Sequence, residues 1–180
     1  LIYITGPMTG AAAPSTGRYM VCTKSPLTGM IACSNSGGIW GAKLKYAGWD
    51  AIIVEGEAPD WTDINVDDDK IELLDAREYV GVMSEAIDEQ LKAKHGADVS
   101  VLNIGPAGEK KVLLAAIMND KDRAAGRSGV GAVMGSKKLK AIVVKATRKK
   151  LDNIADLDAL KVAAKNAMDV LKANPVTGSG

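Results

Sequence analysis

Two glycine-rich segments, far apart in the sequence, constrain what this chain can fold into more than any other feature. Nine of its 19 glycines lie between Gly6 and Gly56, and four more lie between Gly126 and Gly135. Glycine allows tight turns, and it lets a backbone approach a ligand or another backbone closely. We therefore expect the chain to make its closest contacts in these two segments.

Between and beyond the glycines, the hydrophobic pattern predicts a mixture of strands and helices. Without regular βαβ alternation, this mixture favours an α/β (α+β) domain with mixed sheets and a few flanking helices. We expect a main domain over residues 1–150 and a helical connection over 151–180. The predicted strands are residues 1–5, 18–25, 30–34, 51–55, 62–66, 70–74, 99–104, 112–118 and 140–145. The predicted helices are residues 39–46, 80–94 and 156–173, with a helical turn at 130–134.

Composition excludes several classes of protein. Of the 180 residues, 47% are hydrophobic and 25% charged, and the net charge is +1, so neither a disordered chain nor a strongly polyanion-binding protein is expected. No apolar stretch approaches the ~20 residues that cross a bilayer. We expect no nucleic acid and no membrane as partners. The first residue, Leu1, falls within a predicted strand and residues 174–180 look like a loop, which predicts a piece of a longer chain.

Two charged runs have structural interpretations. The acidic run at 55–78 lacks the spacing of a calcium loop, and we interpret it as a solvated hairpin edge. The basic run at 137–150 has no interleaved aromatic residues for base stacking. It is interpreted as the polar flank of a strand or as a docking surface.

The chain has only two cysteines, Cys22 and Cys33, and a single histidine, His95. A turn at 26–29 would place the two thiols opposite each other, either as a cross-strand disulfide or, as we favour, as two buried free thiols. Two cysteines cannot supply the ligands of an iron–sulfur cluster. His95 is expected at the end of a helix, where a positive charge complements the helix dipole, and no motif pairs it with a nucleophile.

The second glycine segment suggests an anion site. Arg123 and Arg127 offer forked donors suited to phosphate, and glycines allow backbone N–H groups to converge on phosphate oxygens. The spacing Gly129-x-Gly131-x-x-x-Gly135 departs from the dinucleotide-binding fingerprint. Tight helix–strand packing through small residues therefore remains an alternative for these glycines.

The first glycine segment has a similar composition. Its small polar residues, glycines and the single Arg18 suit a large, flat, phosphorylated ligand, and Asn35 can donate, accept or lend its carbonyl oxygen to a metal.

Six stretches together resemble the N-terminal domain of the aldehyde:ferredoxin oxidoreductase family, which comprises tungsten or molybdenum bis-pterin enzymes. They occur in the family's order and span most of the chain. They are GPMTG (6–10), TGRYMVCTKSPLTG (16–29), SNSGG (34–38), LKYAGWDAIIVEG (44–56), IGPAGE (104–109) and AAIMNDKDRAAGRSGVGAVMGSKKLKAI (115–142).

The resemblance implies a saddle of two β-sheets that carries the pterins, and it implies which residues contact them. Arg18 would contact a pterin on the side that faces the iron–sulfur cluster. The backbone carbonyls of Asn35 and Ala124 would complete the coordination of a magnesium ion that bridges the pterin phosphates. The full set of implied cofactor-binding residues is Arg18, Asn35, Gly37, Arg123, Ala124, Gly126 and Arg127.

The resemblance further implies interconversion of an aldehyde and a carboxylic acid, with electrons passing through a [4Fe–4S] cluster to ferredoxin. It implies a cytoplasmic enzyme of anaerobes that is a homo-oligomer when complete. The cluster ligands and catalytic residues would lie in later domains, so none is expected here, and this piece alone would be inactive. Two other interpretations stay open: a nucleotide- or phosphate-binding module that uses the 126–135 loop, and a structural or interaction unit.

Overall fold

A computed structural model describes residues 1–177 of the protein as two β-sheets with helices between and around them. The four-stranded sheet has the order β3-β2-β1-β4, and the six-stranded sheet has the order β6-β5-β10-β7-β8-β9. The strands are β1 Ile2–Thr5, β2 Tyr19–Lys24, β3 Ile31–Ser36, β4 Ala51–Ile53, β5 Thr62–Asp67, β6 Lys70–Asp75, β7 Ser100–Asn103, β8 Ile117–Asn119, β9 Arg123–Ala125 and β10 Leu139–Lys145. The helices are α1 Trp40–Ala47, α2 Ser84–His95, α3 Pro106–Glu109, α4 Val130–Ser136 and α5 Leu157–Ala173. The predicted mixed α/β class is confirmed.

Helix α1 fills the space between the two sheets. Trp40 and Leu44 are fully buried, and the Trp40 ring packs against Tyr19 of the smaller sheet with ring centroids 4.7 Å apart. The indole Nε1 of Trp40 donates to the carbonyl oxygen of Ile142 in the larger sheet, at 3.3 Å. One side chain therefore contacts both sheets and holds α1 in place between them.

Helix α2 covers the opposite face of the larger sheet. Its buried Ile87 and Leu91 pack with Val101 of β7 and Val143 of β10 in a second apolar cluster. His95 ends this helix, as predicted, but burial and the neighbouring Lys94 lower its pKa. This shift disfavours the positive charge that was expected of His95 at the helix end.

Helix α5 has no buried residue along its length. It begins as predicted: the Asp156 carboxylate accepts a hydrogen bond from the N–H of Ala159, 2.8 Å away, which caps the helix.

The division at residue 150 stays a prediction, and residues 178–180 of the predicted helical connection lie outside the described residues. Within residues 1–177, every helix is too short or too polar to cross a bilayer.

Most predicted elements are confirmed within a few residues, including the hairpin β5–β6 in the acidic run. The strand predicted at 112–118 is wrong over most of its length. Val112 and Leu114 are exposed and lie outside any strand, and β8 begins only at Ile117. Apolar residues alone could not distinguish a strand from this loop. The loop is held by a distant segment, since the carbonyl oxygen of Ala115 accepts from the N–H of Gly131.

A buried ion pair forms where the basic run enters the larger sheet. Lys140 is fully buried, and its ammonium group donates to the carboxylate of Glu109 and, at 2.7 Å, to the carbonyl oxygen of Ile104. Burial lowers the pKa of Lys140, and Glu109 opposes that effect. The partly buried Glu109 carboxylate also accepts from the N–H of Gly81. Lys140 therefore ties α3 to β10 rather than forming the solvated flank that the sequence suggested for this run.

We expect Glu109→Gln to lower the free energy of unfolding by about 3–5 kcal/mol, because it leaves the Lys140 charge buried and unpaired. The measurement is urea denaturation at pH 7. Asp67→Asn is the matched control: it breaks the half-exposed Lys145–Asp67 pair and should cost less than about 1 kcal/mol. Equal losses for the two variants would contradict this account.

Asp63 on β5 is a second buried charge, and burial raises its pKa to about 7. Since the unfolded value is near 3.8, the folded protein binds more protons between pH 4 and pH 7. Stability should therefore fall as the pH rises through that window and stay level above it.

We expect Asp63→Asn to remove this slope and to stabilise the protein at pH 8 by about 4 kcal/mol at most. Thermal unfolding from pH 4 to pH 8 measures it, with the exposed Asp69→Asn as the control that keeps the slope.

Candidate functional site

The hairpin β2–β3 supplies one half of a polar cleft. In the antiparallel register Met20 lies opposite Asn35, and Val21 lies opposite Ser34. Side chains alternate along β3, so Ser34 is buried while Asn35 is exposed. Arg18 stands immediately before β2, and its guanidinium Nη1 donates to Oδ1 of Asn35 at 2.5 Å. This hydrogen bond fixes the direction of the guanidinium along the hairpin.

The second glycine segment supplies the other half. Ala124 lies on β9, which pairs with β8 at the edge of the larger sheet. The backbone N–H of Arg127 donates to the hydroxyl oxygen of Ser34 at 3.1 Å. Two segments 93 residues apart in sequence are thereby joined side by side.

The resulting cleft has a volume of about 740 Å³ and a mostly polar lining. It brings together five of the seven predicted cofactor-binding residues. The lining residues are Arg18, Cys33, Ser34, Asn35, Ala124, Gly126 and Arg127. The other two, Gly37 and Arg123, neighbour the cleft but do not line it: the Gly37 carbonyl oxygen accepts from Asn119, and Arg123 pairs with Asp122.

Asn119, at the end of β8, holds the two halves of the cleft together. It is fully buried, and its Oδ1 accepts from the Tyr19 hydroxyl at 2.9 Å and from the Ser36 hydroxyl at 2.7 Å. Its Nδ2 donates to the carbonyl oxygen of Gly37 at 3.0 Å. Burial raises the pKa of Tyr19 far above its ordinary value, so the Tyr19 hydroxyl stays protonated and remains a donor.

Asp120 extends this network to α1. One carboxylate oxygen of Asp120 accepts from the backbone N–H groups of Ile39 and Trp40, at 2.7 and 3.1 Å. The other accepts from the Ser100 hydroxyl. A carboxylate at a helix N-terminus satisfies N–H groups that have no partner within the helix. Here that carboxylate comes from a residue 80 positions away in the chain.

No role was predicted for Asn119 or Asp120, although both stand in the quoted stretch at 115–142. The signal available in the sequence was an amide next to a carboxylate at the end of a short apolar strand. Their partners, Tyr19, Ser36 and Trp40, come from the first glycine segment. That distance in sequence is why the interaction was missed.

The second glycine segment divides between two uses. Residues 126–128 are exposed, and the first two of them line the cleft, whereas residues 129–132 and Gly135 are buried. A Cβ on Gly135 would lie 1.9 Å from the carbonyl oxygen of Gly108, and one on Gly131 would lie 2.4 Å from that of Ala116. The packing alternative is therefore correct for the later glycines. A phosphate-binding module that uses the 126–135 loop could therefore use only its exposed first part, because most of the rest is buried.

The two cysteines face each other as predicted, with Cys22 opposite Cys33 and their Sγ atoms 3.6 Å apart. Both are free thiols, so the favoured prediction of two free thiols is confirmed over a disulfide. The expectation that both are buried is wrong: Cys33 is exposed in the cleft and Cys22 is half-buried. Both side chains lie on the same face of the hairpin as Asn35, and this face borders the cleft rather than the core.

Comparisons with known proteins place the chain among known relatives. The family model described as "Aldehyde ferredoxin oxidoreductase, N-terminal domain" matches residues 1–146. The tungsten-containing aldehyde ferredoxin oxidoreductases of Pyrococcus horikoshii and Pyrococcus abyssi are each 50% identical to this chain over its whole length. The chain spans 30% of the length of these two relatives.

A solved structure is similar as well. It is described as the active site complex BamBC of benzoyl coenzyme A reductase in complex with 1,5-dienoyl-CoA. The similarity has a TM-score of 0.91 at 35% sequence identity, and it covers 96% of this chain and 26% of the other.

The packing of Gly135 gives a direct test of how its segment is used. We expect Gly135→Ala to lower the free energy of unfolding by about 3 kcal/mol or more, because the added methyl group collides with backbone rather than with a movable side chain. Gly126→Ala is the matched control, since its Cβ would have no neighbour closer than 3.9 Å. The control should change stability by no more than about 0.5 kcal/mol. Chemical denaturation of both variants makes the comparison, and a tolerated Gly135→Ala would contradict the packing role.

Proposed function

The chain belongs to the aldehyde ferredoxin oxidoreductase family, and from this premise we propose that it is the cofactor-binding part of a tungsten- or molybdenum-pterin oxidoreductase. The observation that carries the proposal is the cleft in which Arg18 and Asn35 of one glycine segment meet Ala124, Gly126 and Arg127 of the other. A phosphate-binding module would need only the second segment. The meeting of both favours a ligand large enough to span them.

The chemistry of the cleft fits a phosphorylated pterin. Two guanidinium groups, from Arg18 and Arg127, supply forked cationic donors for phosphate or pterin oxygens. Among residues 1–177, no atom beyond Gly37 and its two chain neighbours lies within 4 Å of the position that a Cβ would take on Gly37, and Gly126 is similarly open, so a flat ligand can approach the backbone there. The 740 Å³ volume is within the range of sites for sizeable organic ligands.

Each candidate residue has a distinct role in this proposal. Arg127 binds phosphate, Arg123 adds a second cation beside the cleft, and Arg18 contacts a pterin. The backbone carbonyl oxygens of Asn35 and Ala124 are oxygen ligands of the kind that magnesium prefers. Gly37 and Gly126 allow close approach. When bound, the metal–pterin group would supply two-electron oxidation and reduction, while these residues hold and orient it.

The hydrogen bond from Arg18 to Asn35 gives Asn35 a positioning function. A guanidinium already held by an amide oxygen loses less side-chain entropy when the ligand arrives. Asn35 itself has a set place on the hairpin, opposite Met20 in the register of β2 with β3. The hairpin therefore orients its donor before the cofactor binds.

For the complete protein we propose interconversion of a small aldehyde and its carboxylic acid. Electrons would pass to a [4Fe–4S] cluster, whose ligands lie in later domains, and then to ferredoxin or another electron-transfer protein. We further propose a cytoplasmic homo-oligomer in an anaerobe. The aldehyde is the family's most common substrate class, and the identity of the substrate depends on pocket residues outside this chain.

The test is the metal and phosphorus content of the complete protein, purified without oxygen, for the wild type and for Arg127→Ala. We expect tungsten or molybdenum together with pterin phosphate in the wild type. In Arg127→Ala, loss of one charge-assisted contact should weaken cofactor retention by about tenfold or more. Plasma mass spectrometry after extended dialysis measures the difference.

Arg77→Ala is the matched control, because Arg77 is an exposed arginine that pairs with Asp75 outside the cleft. It should keep the wild-type metal content. Wild-type protein that is folded but contains neither metal would contradict the cofactor proposal. Full retention by Arg127→Ala would contradict only the assignment of Arg127.

A further inference from the structure

The thiol pair on the hairpin has no part in the proposed cofactor binding, yet its geometry suits a reaction. Cys22 and Cys33 are directly opposed in the antiparallel register, with their sulfur atoms in contact at 3.6 Å. The Cα separation of directly opposed antiparallel residues, about 4.5–5.5 Å, falls within the range that disulfides require. The backbone spacing of the hairpin is therefore compatible with a disulfide at this position.

The two thiols differ in access. Cys33 is exposed and lines the cleft, so a small molecule can reach its sulfur while the cleft holds no cofactor. Cys22 is half-buried, and burial together with the neighbouring Cys33 raises the pKa of its thiol. The pair therefore combines one accessible thiol, which can react first, with one sheltered thiol already in contact with it.

We propose that Cys22 and Cys33 form a reversible disulfide, before the cofactor fills the cleft, by exchange with a low-molecular-weight disulfide that enters it. Its geometric basis is the register and the sulfur contact, and only its restriction to the cofactor-free cleft rests on the proposed function. It assigns a modification site to the face of β2 and β3 that borders the cleft.

The exchange has two balanced steps. The Cys33 thiolate attacks one sulfur of the small disulfide, forms a mixed disulfide and releases one thiolate. Cys22 then loses its proton, and its sulfur attacks the Cys33 sulfur and releases the second thiolate. The protein loses two electrons and two protons in total, and the small disulfide is reduced to two thiols.

The position of the bond would affect the cleft locally. Cys33 lies two residues before Asn35 on the same face of β3, and Asn35 is the residue that holds the Arg18 guanidinium. A covalent link between β2 and β3 would restrict the hairpin just beside that contact. The modification would thus act on the element that orients Arg18.

The test uses the complete protein that carries this chain, produced without tungsten or molybdenum so that the cleft is free of cofactor, then reduced and incubated without oxygen in glutathione buffers with increasing proportions of oxidised glutathione. After thiols are blocked and the protein is digested with trypsin without reduction, a disulfide would join peptide 19–24 to peptide 25–43. We expect this linked pair, two hydrogens lighter than the separate peptides, as the main product. Half-conversion should require at least about tenfold less oxidised glutathione in the folded protein than in urea, because the fold holds the sulfurs together.

Two variants serve as controls. Cys22→Ser should stop at a glutathione adduct on Cys33, and Cys33→Ser should leave the sheltered Cys22 largely unreacted. A stable adduct on Cys33 of the wild type, without the linked peptides, would overturn the proposal. It would also be overturned if neither cysteine reacts, or if folded and unfolded protein are converted at the same glutathione ratio.

Discussion

The buried side-chain amide of Asn119 is the interaction on which the cleft depends. It accepts from Tyr19 and Ser36 of the smaller sheet and donates to the carbonyl oxygen of Gly37, although Asn119 itself ends a strand of the larger sheet. A buried amide without partners would be costly, so all three contacts favour a single relative placement of the sheets. That placement brings β3 alongside β9 and puts Arg18 and Arg127 on one cleft.

Helix α1 supports the same arrangement from the core. Its Trp40 packs on Tyr3 and Tyr19 of one sheet and donates to a carbonyl oxygen of the other. The Asp120 carboxylate, next to Asn119, caps the helix from the larger sheet. Apolar burial alone would allow the sheets to slide, because it has no preferred direction. The hydrogen bonds of Asn119, Asp120 and Trp40 add the direction that the core lacks.

Glycine has two separate uses in the second segment, and the distinction changes how the segment is interpreted. Gly126 is open to the cleft, where a ligand can approach the backbone. Gly131 and Gly135 instead let α4 lie directly against the backbone of residues 108–116. The rigid second half thus positions the exposed first half. A run of glycines in the sequence is compatible with either use, because both require the absence of a side chain.

The sequence by itself determined the features that depend on local patterns. Alternation and turn residues predicted the hairpin β2–β3, and with it the opposition of Cys22 and Cys33. Helical spacing and a following glycine predicted α1 and α2. The six stretches at 6–142, through their resemblance to a family, indicated five of the residues that line the cleft.

Only the tertiary structure decided the features that depend on distant partners. It left the apolar residues 112–114 exposed in a loop, buried Lys140 against Glu109, and gave Asn119 its place between the sheets. It also exposed Cys33, which was expected to be buried. In each case the deciding contact joins segments that are far apart along the chain, such as Asn119 with Tyr19. Local periodicity reports which face of an element is apolar, but it carries no information about which other segment will cover that face.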